Sequence, residues 1–132
     1  MSVETIHLAT VAKELMVQIN KEFLGFFSLK LDKDEMRLAF DEKHQDYLTA
    51  DELLEKYFKD DEPRVFVFNW IGKTKNLHVG WMVFWIPEGL SEEDQKLWKE
   101  VIKQDELHNF VDDDHRSIHN TRQSIEELLK SK

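Results

Sequence analysis

The sequence predicts a three-layer α/β sandwich, a central mixed β-sheet flanked by helices on both faces. Two segments, Arg64 to Ile71 and Leu77 to Ile86, are apolar almost without interruption, the pattern of strands buried on both sides. Helical and strand periodicities alternate along the chain, and a helix lying between strands implies a crossover connection and a parallel pair. With 132 residues, 41% of them hydrophobic, the chain suits one domain, 1–132.

Taken in order, Val11, Ala12, Leu15, Met16 and Ile19 recur at spacings of three and four, which predicts an amphipathic helix from about Ala9 to Phe23. Gly25 interrupts it. Phe26 to Leu31 reads as a strand, Asp32-Lys33-Asp34 as a polar turn, and Met36, Leu38 and Phe40 alternate with polar neighbours to complete a hairpin. Thr49-Ala50-Asp51-Glu52 has the form of a capping box opening a short helix, which Asp60-Asp61-Glu62 and Pro63 end. The two central strands follow, joined by the basic turn Gly72-Lys73-Thr74-Lys75-Asn76.

Ser91 followed by Glu92, Glu93 and Asp94 supplies an oxygen cap and acidic residues for the positive end of a helix dipole. In that long helix, Leu97, Trp98, Val101 and Ile102 fall on one side and Lys96, Lys99 and Lys103 on the other. A loop, Asp112-Asp113-Asp114, and an extended stretch around Ile118 come next. The last helix starts either at Ser124, in a second capping box with Glu127, or earlier at Asn120 or Thr121.

Charge and composition remove whole classes of function. Eighteen basic against 27 acidic residues give 18 − 27 = −9, which disfavours nucleic acid or anionic lipid over any broad surface. Without cysteine there is no disulfide, thiolate nucleophile or Cys-ligated zinc. Met1 to Thr10 lacks a secretory signal, and the run Trp81 to Ile86 is far short of the about 20 residues a membrane span needs. Soluble and intracellular is the expectation. Four scattered glycines make no phosphate loop, and neither Gly-x-Ser-x-Gly nor His-Glu-x-x-His occurs.

The lysine ridge Lys96, Lys99, Lys103 is the sharpest candidate site, a narrow basic strip able to meet an acidic partner. The same strip is also the ordinary pattern of a solvated helix face, with Glu92–Lys96 and Glu100–Lys103 at pairing distance. Asp112 to His115 offers carboxylates and an imidazole, but adjacent carboxylates repel and no calcium-loop glycine accompanies them. His115 and His119 would resemble a zinc pair only on a helix, so neither metal nor cofactor is expected. Trp70, Trp81, Trp85 and Trp98 lie in apolar segments without interleaved arginine, which favours core over base stacking.

Several strings, in order and over nearly the whole chain, resemble the actin-depolymerising-factor homology (ADF/cofilin) family. They are Pro63-Arg64-Val65-Phe66-Val67-Phe68 and the junction Phe84-Trp85-Ile86-Pro87-Glu88 before the long helix. The glia maturation factor branch is the most similar, through Val11-Ala12-Lys13-Glu14-Leu15, Lys30-Leu31-Asp32-Lys33-Asp34, Ile118-His119-Asn120-Thr121 and Glu126-Glu127-Leu128-Leu129. The resemblance implies a monomeric, non-enzymatic cytoplasmic regulator of the cytoskeleton. Its partner would be actin or the actin-related-protein complex that nucleates branches, which glia maturation factors inhibit and whose junctions they dismantle. Carried onto this chain, one binding face would hold Ser2, Lys96, Lys99 and Lys103, and a second Lys73, Lys75, Glu126 and Glu127. Ser2 is also a candidate for phosphorylation.

Two departures qualify the transfer. Where cofilins carry a Lys-Met pair early in the long helix, this chain has Gln95 and Lys96, which suits glia maturation factor better than a tight actin binder. The stretch Asn20 to Gly25 is shorter and less basic than in animal glia maturation factors. A cofilin-like severing protein is the alternative within the family. A small-molecule enzyme built on the acidic Asp112–His119 segment is the alternative outside it.

Overall fold

The two apolar segments form the middle of the sheet in a computed structural model that describes residues 7–8, 10–35, 37–104 and 107–131. Strands β5 (Arg64–Ile71) and β6 (Leu77–Trp85) pair antiparallel, Val65 opposite Phe84 and Val67 opposite Met82. On the far side of β5 lies β2 (Phe26–Asp32), antiparallel to it and to β3 (Arg37–His44), so the expected hairpin is present. Beyond β6 lies β7 (Arg116–His119), parallel to it and reached through α3 (Glu92–Lys103). That is the parallel pair the crossover predicts.

Two strands were not evident from periodicity. β1 (His7–Leu8) pairs parallel with β3, and β4 (Leu48–Thr49) pairs parallel with β5. Each is two residues long, too short to show a period of two. The sheet order is β1-β3-β2-β5-β6-β7, with β4 on β5 beyond the end of β2.

Each face of the sheet carries its own core. Phe27, Leu29, Val65, Val67, Met82 and Phe84 pack under α1 (Thr10–Asn20) and α3, which contribute Leu15, Met16, Ile19, Trp98 and Val101. Phe66, Phe68, Trp70, Trp81, Val83 and Trp85 face α2 (Ala50–Lys56) and α4 (Arg122–Ser131), which contribute Leu53, Leu54, Ile125 and Leu129. All four tryptophans are buried, as an apolar-core reading requires.

Helix ends follow local chemistry, with two corrections. At α2, Thr49 Oγ1 accepts from Glu52 N–H at 3.2 Å but donates to the Glu52 carboxylate at 3.1 Å, so the box closes side chain to side chain. At α4, the Ser124 box is not used. Ser124 N–H donates to Thr121 Oγ1 at 3.2 Å, placing Ser124 inside the first turn of a helix that begins at Arg122. Helix α1 ends where Glu22 adopts φ 62°, with Glu22 N–H to Ile19 O at 3.0 Å and Phe23 N–H to Gln18 O at 2.9 Å. This left-handed closure favours glycine. Gly25 is required for another reason: a Cβ there would lie 2.0 Å from the Asp46 carbonyl oxygen.

Candidate functional site

Helix α3 carries the three candidate lysines. Ser91 Oγ accepts from Asp94 N–H at 3.2 Å, and three acidic residues fill the first turn, so the helix starts firmly. Trp98 and Val101 anchor one side in the core while Lys96, Lys99 and Lys103 are exposed on the other. At 100° per residue these lysines span only about 60° of helix azimuth. Lys103 pairs with Glu100 at 3.3 Å, the solvated-face interaction expected from the spacing. Lys96 and Lys99 have no ion pair among the described residues. The basic strip therefore presents two uncommitted ammonium groups and one shared.

Beside the strip runs a groove of about 690 Å³ lined by Lys33, Lys96, Lys99 and Lys103 and by the carboxylates Glu93 and Glu100, with Leu97, Ile102 and Ile118 as its apolar surface. It is contiguous with a second hollow that shares Lys99, Ile102 and Ile118 and ends at Pro87, Gln95 and Asn120. Ile118, on edge strand β7, is 54% exposed. An apolar edge-strand isoleucine and the cationic helix side chains therefore stand side by side on one surface. Gln95, at the end of that hollow, has its amide engaged, donating to Leu90 O at 3.0 Å and Glu88 O at 3.4 Å.

The second predicted set divides. Lys73 and Lys75 line a groove of about 850 Å³ with Ile71, Leu129 and Lys130, at the end of the sheet where α2 starts. Glu126 and Glu127 do not line it; Glu126 pairs with Arg122 at 3.2 Å and Glu127 accepts from Gln123 at 3.5 Å. Ser2 lies outside the described residues. Lys33, Lys130, Ile102 and Ile118 were not singled out from sequence. Lys33 and Lys130 come from elements distant in the chain, and only folding brings them to these grooves.

The acidic segment shows no ligand geometry. Asp112, Asp113 and Asp114 are exposed, and Asp113–His115 forms a single 3₁₀ turn. The His115 ring stacks on Trp81 with centroids 4.4 Å apart. His119 lies 2.9 Å from Ser124 Oγ through Nδ1 and 2.9 Å from Ser117 Oγ through Nε2, joining β7 to α4. Among the described residues no group of three or more such side chains is arranged to hold a metal, and no helix is long and apolar enough to cross a membrane.

Burial holds the His119 imidazole below its ordinary value of 6.5. The unfolded chain then takes up this proton more readily than the folded one. The associated stability is complete above about pH 6.5 and falls as pH drops through that value towards the lower folded one. Urea midpoints taken from pH 7.5 to 5 are expected to decline more steeply for wild type than for His119→Gln; equal slopes would remove His119 from this role.

No protein-family model matches the sequence. No curated protein matches it either. Solved structures do. Cofilin from Streptomyces griseoflavus is 15% identical, with 95% of each chain covered and a TM-score of 0.73. Actin depolymerization factor 2 from Plasmodium berghei is 16% identical over 98% of this chain and 96% of that one, at a TM-score of 0.74. Glia maturation factor from Caenorhabditis elegans is 17% identical over 93% and 91%, at 0.63. The chain has the actin-depolymerising-factor homology fold that its sequence resemblance implied.

Proposed function

We propose that this protein is a non-enzymatic cytoskeletal regulator that docks onto an actin-like subunit through the α3 face. The observation that carries the reading is the cationic strip Lys96, Lys99 and Lys103 standing beside the apolar groove of Ile102 and Ile118. On a chain of net charge −9, a local strip of this kind steers a partner with a complementary acidic patch and fixes its orientation. The apolar groove supplies desolvated contact once the partner arrives. The shared fold supports actin as the class of partner, since solved neighbours include an actin depolymerization factor and the cofilin homology domain of a yeast actin-binding protein.

The finer reading is that of glia maturation factor: binding the actin-related-protein branching complex, inhibiting nucleation and promoting debranching. Gln95 supports it, being engaged with the loop before α3 instead of offering a cation to the partner. Debranching would follow from differential binding. Attachment to the state in which a subunit contact is loosened shifts the population towards dissociation. A second reading rests on the same fold, which the chain shares with cofilin and actin depolymerization factor as well as with glia maturation factor. That reading is a cofilin-like protein that binds filaments directly and severs or depolymerises them.

A pull-down of purified actin and of the branching complex on immobilised protein separates the two. Retention of the branching complex with little actin is expected, together with loss of branches in a filament-imaging assay. Retention of actin alone would support the cofilin-like reading, and retention of neither would overturn both.

A further inference from the structure

Lys33 belongs to the same groove as the α3 lysines, yet it comes from the turn between β2 and β3. Its ammonium lies 2.5 Å from Asp94 Oδ1 across 61 residues of sequence, with the lysine side chain 56% and the aspartate 28% exposed. The contact bridges the hairpin to the first turn of α3, where Ser91 caps the backbone N–H of the same Asp94. The groove thus has four cations from two separate elements, three on the helix and one on the hairpin, set against the helix carboxylates Glu93 and Glu100, the second of which is paired with Lys103.

Resting on the α3-docking reading above, we propose that Lys33 is a fourth cationic contact for the acidic partner, which Asp94 holds neutralised until docking. An acidic group entering the groove competes with the Asp94 carboxylate for the same ammonium. Affinity is therefore set lower than the four lysines would give, and the partner must carry a carboxylate at the hairpin end of the groove to recover the difference. Hydrogen bonding to Asp94 raises the Lys33 pKa above its ordinary 10.5, so the ammonium stays charged throughout. The exchange is therefore one of partners and involves no loss of a proton.

The two members of the pair predict opposite effects, which a merely structural clamp would not. Affinities for filamentous actin and for the branching complex would be measured for wild type, Lys33→Ala, Asp94→Asn and the double variant. Lys33→Ala is expected to weaken binding about two- to fivefold, the range of an exposed ion pair. Asp94→Asn, which keeps the backbone cap, is expected to tighten binding by a similar factor. In the Lys33→Ala background, Asp94→Asn is expected to change nothing, because its effect runs through the lysine.

Four results would overturn the proposal: unchanged binding by Lys33→Ala, unchanged binding by Asp94→Asn, weakened binding by Asp94→Asn, or a gain from Asp94→Asn that survives without Lys33. The last would mark a general effect of removing negative charge. Wild type binding neither probe would overturn the docking reading itself, a result distinguishable from binding that ignores Lys33. Thermal melts of all four proteins establish that each is folded.

Discussion

Asn69→Leu is expected to remove about 3 kcal/mol or more of folding stability, a large share of the ~5–15 kcal/mol typical of a domain. Asn69 is fully buried in the central strand β5. Its amide nitrogen donates to Ile19 O at 3.0 Å and Leu24 O at 3.1 Å, and its Oδ1 accepts from Gly80 N–H. One side chain therefore joins the end of α1, the entry to β2 and the middle of β6. Leucine has nearly the same size but offers no polar atom, leaving the Leu24 carbonyl and the Gly80 N–H without a partner, each costing about 1–3 kcal/mol when buried, while the Ile19 carbonyl keeps only the Glu22 N–H. Urea unfolding should show a lower midpoint at unchanged slope. A loss below about 1 kcal/mol would mean that water reaches these groups, contrary to the burial seen.

The same residue marks the boundary of what the amino-acid order reveals. The central strands were legible because Arg64–Ile71 and Leu77–Trp85 are apolar on both faces, and α3 was legible because Trp98 and Val101 recur at helical spacing opposite the lysines. Those are properties of neighbours in the chain. Asn69 stands alone within an apolar run, a signal of a buried polar node, but its partners at positions 19, 24 and 80 come from three other segments. The β5 register shifts between Phe68 and Trp70, where it sits.

The site divides in the same way. The Lys96–Lys99–Lys103 strip lies on one helix and could be read from its spacing. The wall opposite it, formed by Lys33 and Ile118, belongs to a hairpin and an edge strand that only the sheet order brings near. Among Asn120, Thr121 and Ser124, the α4 cap is Thr121, whose Oγ1 accepts from Ser124 N–H, while the Ser124 hydroxyl donates to Thr121 O at 2.8 Å and also contacts His119 Nδ1.

Lys96→Glu combined with Lys99→Glu is expected to weaken binding to the actin-like partner by roughly 2–3 kcal/mol, about 30- to 150-fold. Each reversal replaces an attraction with a repulsion. Both residues are exposed and lack ion pairs among the described residues, so no internal bond is broken. Folding stability should change by only about 0.5–1 kcal/mol, the scale of altered i,i+4 pairs along the helix. Salt discriminates further: wild-type affinity should fall as ionic strength rises, and the variant's should depend on it less. Two such reversals take the net charge from −9 to −9 − 4 = −13, so a control must separate locality from total charge. Lys43→Glu with Lys56→Glu makes the same change on exposed residues of β3 and α2, away from the α3 groove. If that control weakens binding as much, the effect belongs to the charge of the whole protein and the ridge is not the docking face. If only the α3 pair weakens it, the partner meets the helix, and the apolar groove beside those two lysines is the contact it closes over.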